Sequence, residues 1–489
     1  MLSRHLNKIF FVSLFLFGVM TIFRDLADND FGWHFRYGEY IVNNHQVLRD
    51  NTFSYIMPEY KWANSYWLSQ LIMYVLIRYT GVIGFSLILD GVFTLATLKV
   101  FSGLSKDKLI LSLGSLLFFP FVGWFSIATR PLLYSTLFML LLVYVLLYRE
   151  GYVKYLPLMF MLWANMHADF TLGLFVFGIY TAFKIYSMYK QKVLDYALLL
   201  YSSASVLVTL INPYGLRLWE TLLKETHPYQ FSLITEWMPF SLDTHPGSSF
   251  IAYTVLSGIF IASIVVNLVI QKKSGMWLVL AGSFFFLASL RSVYFSRVLI
   301  VVGILSFISL STYLLNESKY LVRKNYIKPM KALGYYFVAA LILISFQSFA
   351  VKLESINGMK SWRDKGYPVD AVNYIKQNPL SGNMFNNFNW GGYLIWQLPE
   401  YKTFIDGRMT SWREEDYSIL EEYVNVTYYP DEYEGKFDRY VEAENIGWVI
   451  HKNGSKFATF LVEEKNWTTH YEDNSAIILV NPHFSNQTR

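Results

Sequence analysis

Apolar runs recur along the chain at roughly 8–23, 83–101, 109–128, 131–148, 155–169, 172–189, 194–211, 248–270, 275–291, 297–315 and 332–350. Each is long enough, or nearly so, to carry a helix through the hydrocarbon core of a bilayer, where a backbone must satisfy its own hydrogen bonds. This pattern predicts a polytopic α-helical membrane protein of about eleven to thirteen transmembrane helices. Composition agrees: 54% of the 489 residues are hydrophobic and 19% aromatic. The formal net charge of +5 lies in short scattered clusters, which argues against a nucleic-acid surface. With no cysteine, disulfides, thiolate nucleophiles and Cys-ligated zinc are excluded. The N-terminal apolar run is followed by no small-x-small cleavage site and is read as a retained anchor.

Basic residues set the orientation, because Lys/Arg-rich connections stay cytoplasmic. Arg4 and Lys8, Lys106 and Lys108, Arg149 and Lys154, Lys190 and Lys192, Lys272 and Lys273, and the group from Lys319 to Lys331 fall on alternate connections. All are inside if the N-terminus is cytoplasmic and if "WLSQLIMYVLIRYTG" (67–81) is an interfacial or re-entrant helix that does not cross. Residues 1–350 are then the transmembrane domain of an integral cell-membrane protein, with external loops at 24–66 and 212–247. Residues 351–489 form an extracytoplasmic soluble α/β domain, where apolar runs shorten and charges multiply. Its strand-like pieces are "GNMFNNF", "GGYLIWQL", "KTFIDGR", "IGWVIHK" and "SAIILVN", and its helical pieces lie near 368–378, 413–424 and 436–445.

With this topology the conspicuous polar residues share the external face. Asp25, Asp28, Asp30 and His34 follow the first span, with Trp33 among them, and Arg130 precedes Pro131 at a hairpin tip. Asn165, His167 and Asp169 form a second tip; "NPYG" (212–215) and "TEW", with Glu236 and Trp237, lie in the large loop; Arg291 and Arg297 flank a third tip. Solvated capping explains any one of these residues; their recurrence on one face is what favours function. A carboxylate in apolar surroundings gains the basicity to take a proton from an acceptor hydroxyl, which suits Asp30, with Asp28 the alternative. Both acids also suit capping of a helix starting near Phe31. Oxygen-rich acids with His34 would suit magnesium or manganese if they bound a divalent cation. The arginines suit a lipid phosphate, or merely snorkel to head groups. Trp33, Tyr37 and Tyr40 suit pyranose faces or an interfacial belt.

In the tail, "NWGGYLIW" offers glycines for close backbone approach, and "FIDGRM" fits a strand-ending turn that exposes Asp406 and Arg408. Asn425, Asn453, Asn466 and Asn486 are sequons.

An acid-bearing first external loop, the aromatic helix "GWHFRYGEYI" after it, an "RP" hairpin tip and a soluble α/β domain after the last span together resemble the GT-C superfamily of membrane glycosyltransferases. The resemblance is in particular to the bacterial and archaeal relatives of the protein mannosyltransferase and aminoarabinose-transferase type. The chain is also similar to a bacterial subgroup with a "D…WH…G…I" loop, an FSY motif (here "DNTFSY", one residue wider), "N.H" and "NPYG" motifs and a "WGGYL…DGR" tail. The resemblance implies inverting transfer of a sugar from a polyprenyl-phosphate donor to a lipid, glycan or protein acceptor at the external face. Asp30, or Asp28, would be the base. His34, Trp33, Arg130, Asn165, His167, Asp169, Glu236, Trp237, Arg291 and Arg297 would line the substrates. The loop lacks a paired "DE" signature, and nothing marks a particular acceptor. Two other classes compete: a lipid-carrier flippase, for which Asp90 is the one clear mid-span acid and repeated halves are missing, and a non-catalytic assembly protein.

Overall fold

The computed structural model describes residues 2–23, 27–125, 130–193, 195–224, 234, 236–241, 243, 248–270, 276–318, 342–343, 345–354, 356, 359–414 and 417–484. Asp25, the Lys272/Lys273 pair, the basic group 319–331, most of the run 332–350 and the sequon at Asn486 lie outside them. The chain divides into two compact units. One comprises 1–24, 80–215 and 231–354; the other comprises 25–79, 216–230 and 355–489.

The first unit is helical. It contains α1 (Leu2–Ile22), then, after α2 (Phe31–Asn44), the later part of α3 (Trp67–Leu104), followed by α4 (Lys108–Phe125), α5 (Leu132–Tyr148), α6 (Leu156–Ala164), α7 (Phe170–Gln191) and α8 (Tyr196–Leu207). After the short α9 (Arg217–Lys224), which belongs to the other unit, come α10 (Ser248–Ile270), α11 (Met276–Arg291) and α12 (Ser296–Ser318). The apolar runs thus become mostly helical where they are described, and among the described residues three helices are long and apolar enough to cross a membrane. Helix α12 is the hub: it packs on α4, α5, α10 and α11, and 61% of its apolar window is buried. An all-round apolar sequence suits that central place, because helices pack on several of its faces. The run at 155–169 yields only nine helical residues. Asn165 ends α6, donating its side-chain amide to Met161 O (2.7 Å) and Ile211 O (2.9 Å).

The amphipathic stretch 67–81 is helical and ends at a kink. Gly81 stands at φ 68°, ψ 177°, a conformation that side chains with a Cβ avoid. The boundary between the two units falls there.

The second unit is α/β. Its helices are α2, the first part of α3, α9, α13 (Lys360–Asp364), α14 (Val369–Gln377), α15 (Gly391–Gln397), α16 (Ile419–Tyr428), α17 (Glu434–Ala443) and α18 (Lys456–Glu463). Its strands are β1 (Asn383–Asn386), β2 (Arg413–Glu414), β3 (Tyr417–Ser418), β4 (Ile446–Lys452), β5 (Thr468–Glu472) and β6 (Ala476–Val480). The main sheet has the order β1-β4-β6-β5, parallel between β1 and β4 and antiparallel elsewhere; β2 and β3 pair as a separate short hairpin. Six of the seven residues of β4 are buried, so it is a central strand covered on both faces, whereas β5 is a polar edge.

Two of the strand-like pieces fold otherwise. "GGYLIWQL" is the helix α15, and "KTFIDGR" makes one isolated parallel bridge, Thr403 with Ser54, before running into a 3-10 turn, Gly407–Ser411. The reason is the neighbour rather than local propensity: α15 lies against α2 with glycines at the contact. A Cβ on Gly32 would stand 1.8 Å from Gly392 O, and one on Gly392 would stand 2.0 Å from Asn29 O. The first loop is bound to the tail elsewhere too. Thr403 N–H donates to Phe53 O (3.0 Å), Ser54 Oγ to Phe404 O (3.3 Å) and Tyr55 Oη to Met384 O (3.1 Å). The loop thus supplies part of the α/β unit's own core.

Candidate functional site

The predicted residues gather in two groups, one in each unit. In the α/β unit, the turn before α2 carries Asp28 and Asp30. Asp28 is 3% exposed, and its Oδ1 accepts the Asp30 backbone N–H at 2.9 Å, which makes it the local cap. Asp30 stands at the N-cap position of α2 but makes no side-chain cap. Its Oδ1 accepts the indole N–H of Trp33 at 3.0 Å instead. The carboxylate is partly exposed and positioned by an uncharged donor, which distinguishes it from Asp28.

Trp33 does this from inside the core. It is 4% exposed and packs edge-on against Tyr37, Trp62 and Tyr66. His34 is equally enclosed. Its Nδ1 accepts from the Gln70 amide at 3.0 Å, and Gln70 Oε1 in turn accepts from Asn64 Nδ2 at 2.7 Å. The expectation that Trp33 and Tyr37 offer stacking faces to a sugar is therefore corrected: both are core aromatics, since α2 is covered by the tail.

The "DGR" turn is also corrected. Asp406 and Arg408 are fully enclosed rather than exposed, joined by Nη2–Oδ2 at 2.6 Å and Nε–Oδ1 at 2.7 Å. Arg408 further donates to Tyr37 Oη (3.2 Å) and Asn51 Oδ1 (3.3 Å), so it ties the tail to the first loop. Burial would lower the Arg408 pKa, but Asp406 and Tyr37 outweigh it and hold the guanidinium charged. Between the two charged residues, Gly407 is set against the candidate base: a Cβ there would stand 2.1 Å from Asp30 Oδ1. Gly407 and Asn51 lie in the "DGR" and "DNTFSY" motifs, but no local signal gave the buried state of the Asp406–Arg408 pair, because Tyr37 and Asn51 lie hundreds of residues from Arg408.

In the helical unit, residues from four separate segments meet. Asp169, the N-cap residue of α7, accepts the Tyr294 hydroxyl, and its Oδ2 is 3.6 Å from Arg297 Nη1. The Arg297 guanidinium lies 3.9 Å from the Tyr294 ring centre, and Trp237 stacks on that ring at 4.3 Å and 11°. Beside Trp237, Glu236 pairs with Arg130 at 2.6 Å. Asn165 holds the end of α6, as described. Arg291 lies exposed at the end of α11, and the arginine that meets Asp169 is Arg297. Tyr294 was missed, although an aromatic three residues before an arginine at a helix start is a legible signal.

Burial pushes the His167 imidazole down to about 4, with Asp169 raising it and Arg297 lowering it. Its Nδ1 accepts the Asp169 backbone N–H at 3.1 Å, so the 3.5 Å approach of the Asp169 carboxylate to the same nitrogen is not an ion pair at neutral pH. Burial alone would lift the Asp169 carboxyl, but His167, Arg297 and Tyr294 together hold it below the usual range. With the imidazole neutral, Arg297 and Tyr294 do this at physiological pH. Arg297 Nη1 and Nη2 are buried and make no hydrogen bond among the described residues. Unsatisfied guanidinium donors are costly, and an anion with several acceptor oxygens would satisfy them.

Among the described residues no group of three or more His, Asp or Glu side chains is arranged to hold a metal ion. Of the first-loop acids that are described, Asp28 accepts the Asp30 N–H and Asp30 accepts the Trp33 indole N–H.

The arrangement of apolar helices with an α/β unit is a fold shared with solved structures of membrane enzymes. Three solved structures show it. AglB, an archaeal oligosaccharyltransferase from Archaeoglobus fulgidus in complex with an inhibitory peptide and a dolichol-phosphate, matches with a TM-score of 0.62 and 11% identity over 99% of this chain and 75% of its own. ArnT from Cupriavidus metallidurans in the apo state matches at 0.56 and 11% over 98% of both chains. The same protein bound to undecaprenyl phosphate matches at 0.50 and 12%, again over 98% of both. No family model and no curated protein matches the sequence, so the likeness is one of fold.

Proposed function

We propose that the protein is an inverting glycosyltransferase that moves a sugar from a polyprenyl-phosphate donor to an acceptor on the extracytoplasmic face of the membrane. The observation that carries the reading is Arg297, whose buried terminal nitrogens make no hydrogen bond among the described residues, with the Asp169 carboxylate 3.6 Å from Nη1, in a chain whose fold is shared with proteins solved with lipid phosphates. In this account Arg297 and Arg130 hold the donor phosphate, and Tyr294 and Trp237 fix the Arg297 plane by stacking. Asp169 keeps Arg297 from swinging away, and neutral His167 keeps Asp169 in place through its backbone. Within the α/β unit, Asp30 is the proposed base, which takes the proton of an acceptor hydroxyl as that oxygen attacks the anomeric carbon and the leaving phosphate departs with the bonding pair. Asp28 serves as the cap that orders the turn.

The test is transfer by the purified protein in lipid vesicles, using a panel of polyprenyl-phosphate sugars and membrane extract as acceptor. The expected result is a glycosylated product whose anomeric configuration, read by NMR, is opposite to the donor's. Retention of configuration would overturn the base assignment. Donor that is bound but never consumed would favour a lipid carrier. A chelator arm decides the magnesium or manganese question: transfer that is lost and then restored by either ion would show a divalent cation to be required.

A further inference from the structure

The α/β unit contains an open polar cleft of about 790 Å³, a size typical of ligand sites, and neither group of residues described above lines it. Three segments form its walls: the first loop at Glu59–Lys61, helix α9 and the β2–β3 hairpin. Four cations face it, Lys61, Arg217, Lys224 and Arg413, opposed by the acids Glu59, Glu220 and Glu414. None of these seven side chains has a hydrogen-bond or ion-pair partner among the described residues. Charges of both signs this close together would usually pair. Here they stand as separate donors and acceptors around a space that also contains Tyr60 and Tyr417.

That lining selects a ligand class. A phosphate would meet three carboxylates and an ammonium-rich ligand four cations, each at a Coulomb cost. A ligand rich in hydroxyls meets neither penalty. Vicinal hydroxyls donate to carboxylates and accept from guanidinium and ammonium groups, and their apolar ring faces suit tyrosine. The cleft is also joined to the candidate base by touching rings. Trp33, which positions Asp30, is 5.9 Å from Trp62; Trp62 is 6.2 Å from Trp412; and Trp412 stacks on Tyr60 of the cleft wall at 4.6 Å.

We infer that this cleft is a saccharide subsite, which holds the sugars of a glycan beyond the one at the reaction centre. The inference rests on the transferase reading for its role, though saccharide binding itself does not depend on transfer. The experiment uses the full-length protein in nanodiscs, with saturation-transfer NMR and calorimetry. The probes are maltotetraose, chitotetraose and mannotetraose as neutral saccharides, oligogalacturonate as an acidic one, and inorganic phosphate. Arg413→Ala, Glu220→Ala and their combination are suitable variants because both side chains are exposed and carry no structural contact. The expected result is binding of at least one neutral saccharide, weakened tenfold or more in the double variant and retained in Asp30→Asn. No saccharide binding at millimolar concentration, binding that the variants leave unchanged, or binding of phosphate alone would each overturn it. If binding is found while transfer is never seen, the cleft stands and the transferase reading fails.

Discussion

Replacing Gly407 by alanine tests how the tail serves the candidate base. Gly407 is not among the positive-φ residues, so alanine is acceptable to the backbone and the effect is confined to the added methyl group. That carbon would lie 2.1 Å from Asp30 Oδ1, whereas ordinary carbon–oxygen contact begins above 3 Å. The carboxylate must therefore move by roughly 1 Å, which breaks its 3.0 Å bond to the Trp33 indole. A misplacement of about 1 Å of a reacting group costs on the order of 10²-fold in rate. The expected result for Gly407→Ala is thus a kcat about 100-fold down with KM for the donor little changed. The melting temperature should stay near wild type, because the displaced atom ends a side chain that can rotate. Stopped-time transfer assays beside thermal melts separate these effects. A folded Gly407→Ala protein with wild-type kcat would refute the reasoning.

Three further outcomes follow from the geometry. Arg408→Ala leaves Asp406 charged and enclosed, which costs about 3–5 kcal/mol, so the α/β unit should melt early in circular dichroism and lose its hold on the first loop. Arg297→Lys, which keeps a cation beside Asp169 but loses the paired guanidinium donors, should raise the dissociation constant for a polyprenyl phosphate at least tenfold with little change in melting temperature, as read by calorimetry in vesicles. His451 is buried and neutral, bonded to Asn387, Tyr423 and Ser455, and burial pushes its pKa down to about 3, with Lys452 adding to the effect. An unfolded histidine titrates near 6.5, so the unfolded state binds the extra proton between that value and about 3. Stability of the α/β unit should therefore be level above pH 6.5 and fall by about 5 kcal/mol as pH drops through that window. His451→Gln should flatten the pH profile measured by denaturant titration.

Much of this was legible in the sequence. Apolar periodicity placed α4, α5, α7 and α10 to α12 within a few residues, because long apolar helices answer to length and hydropathy. The strands β1, β4 and β6 and the helices α14 and α17 were also evident. What was not legible depends on distant partners. "GGYLIWQL" has the composition of a strand, yet its glycines serve a helix lying on Gly32. "DGR" has the composition of an exposed turn, yet Arg408 reaches Tyr37, 371 residues earlier in the chain. Asp28 and Asp30 looked equivalent by sequence, and only the hydrogen bond from the Asp30 N–H to Asp28 separates the cap from the candidate base. In the helical unit the turn residues His167, Asp169, Glu236, Trp237 and Arg297 were each visible, but Tyr294, which touches three of them, was not singled out.

The central claim is that Asp30 activates the acceptor, and turnover by Asp30→Asn measures it most directly. Asparagine keeps the size and the capacity to accept from Trp33 but cannot take the proton. In vesicles containing a polyprenyl-phosphate sugar and membrane extract, wild type should transfer sugar. Asp30→Asn should bind donor equally and melt at the same temperature, but lose transfer by at least three orders of magnitude. Transfer by the variant at the wild-type rate would contradict the account.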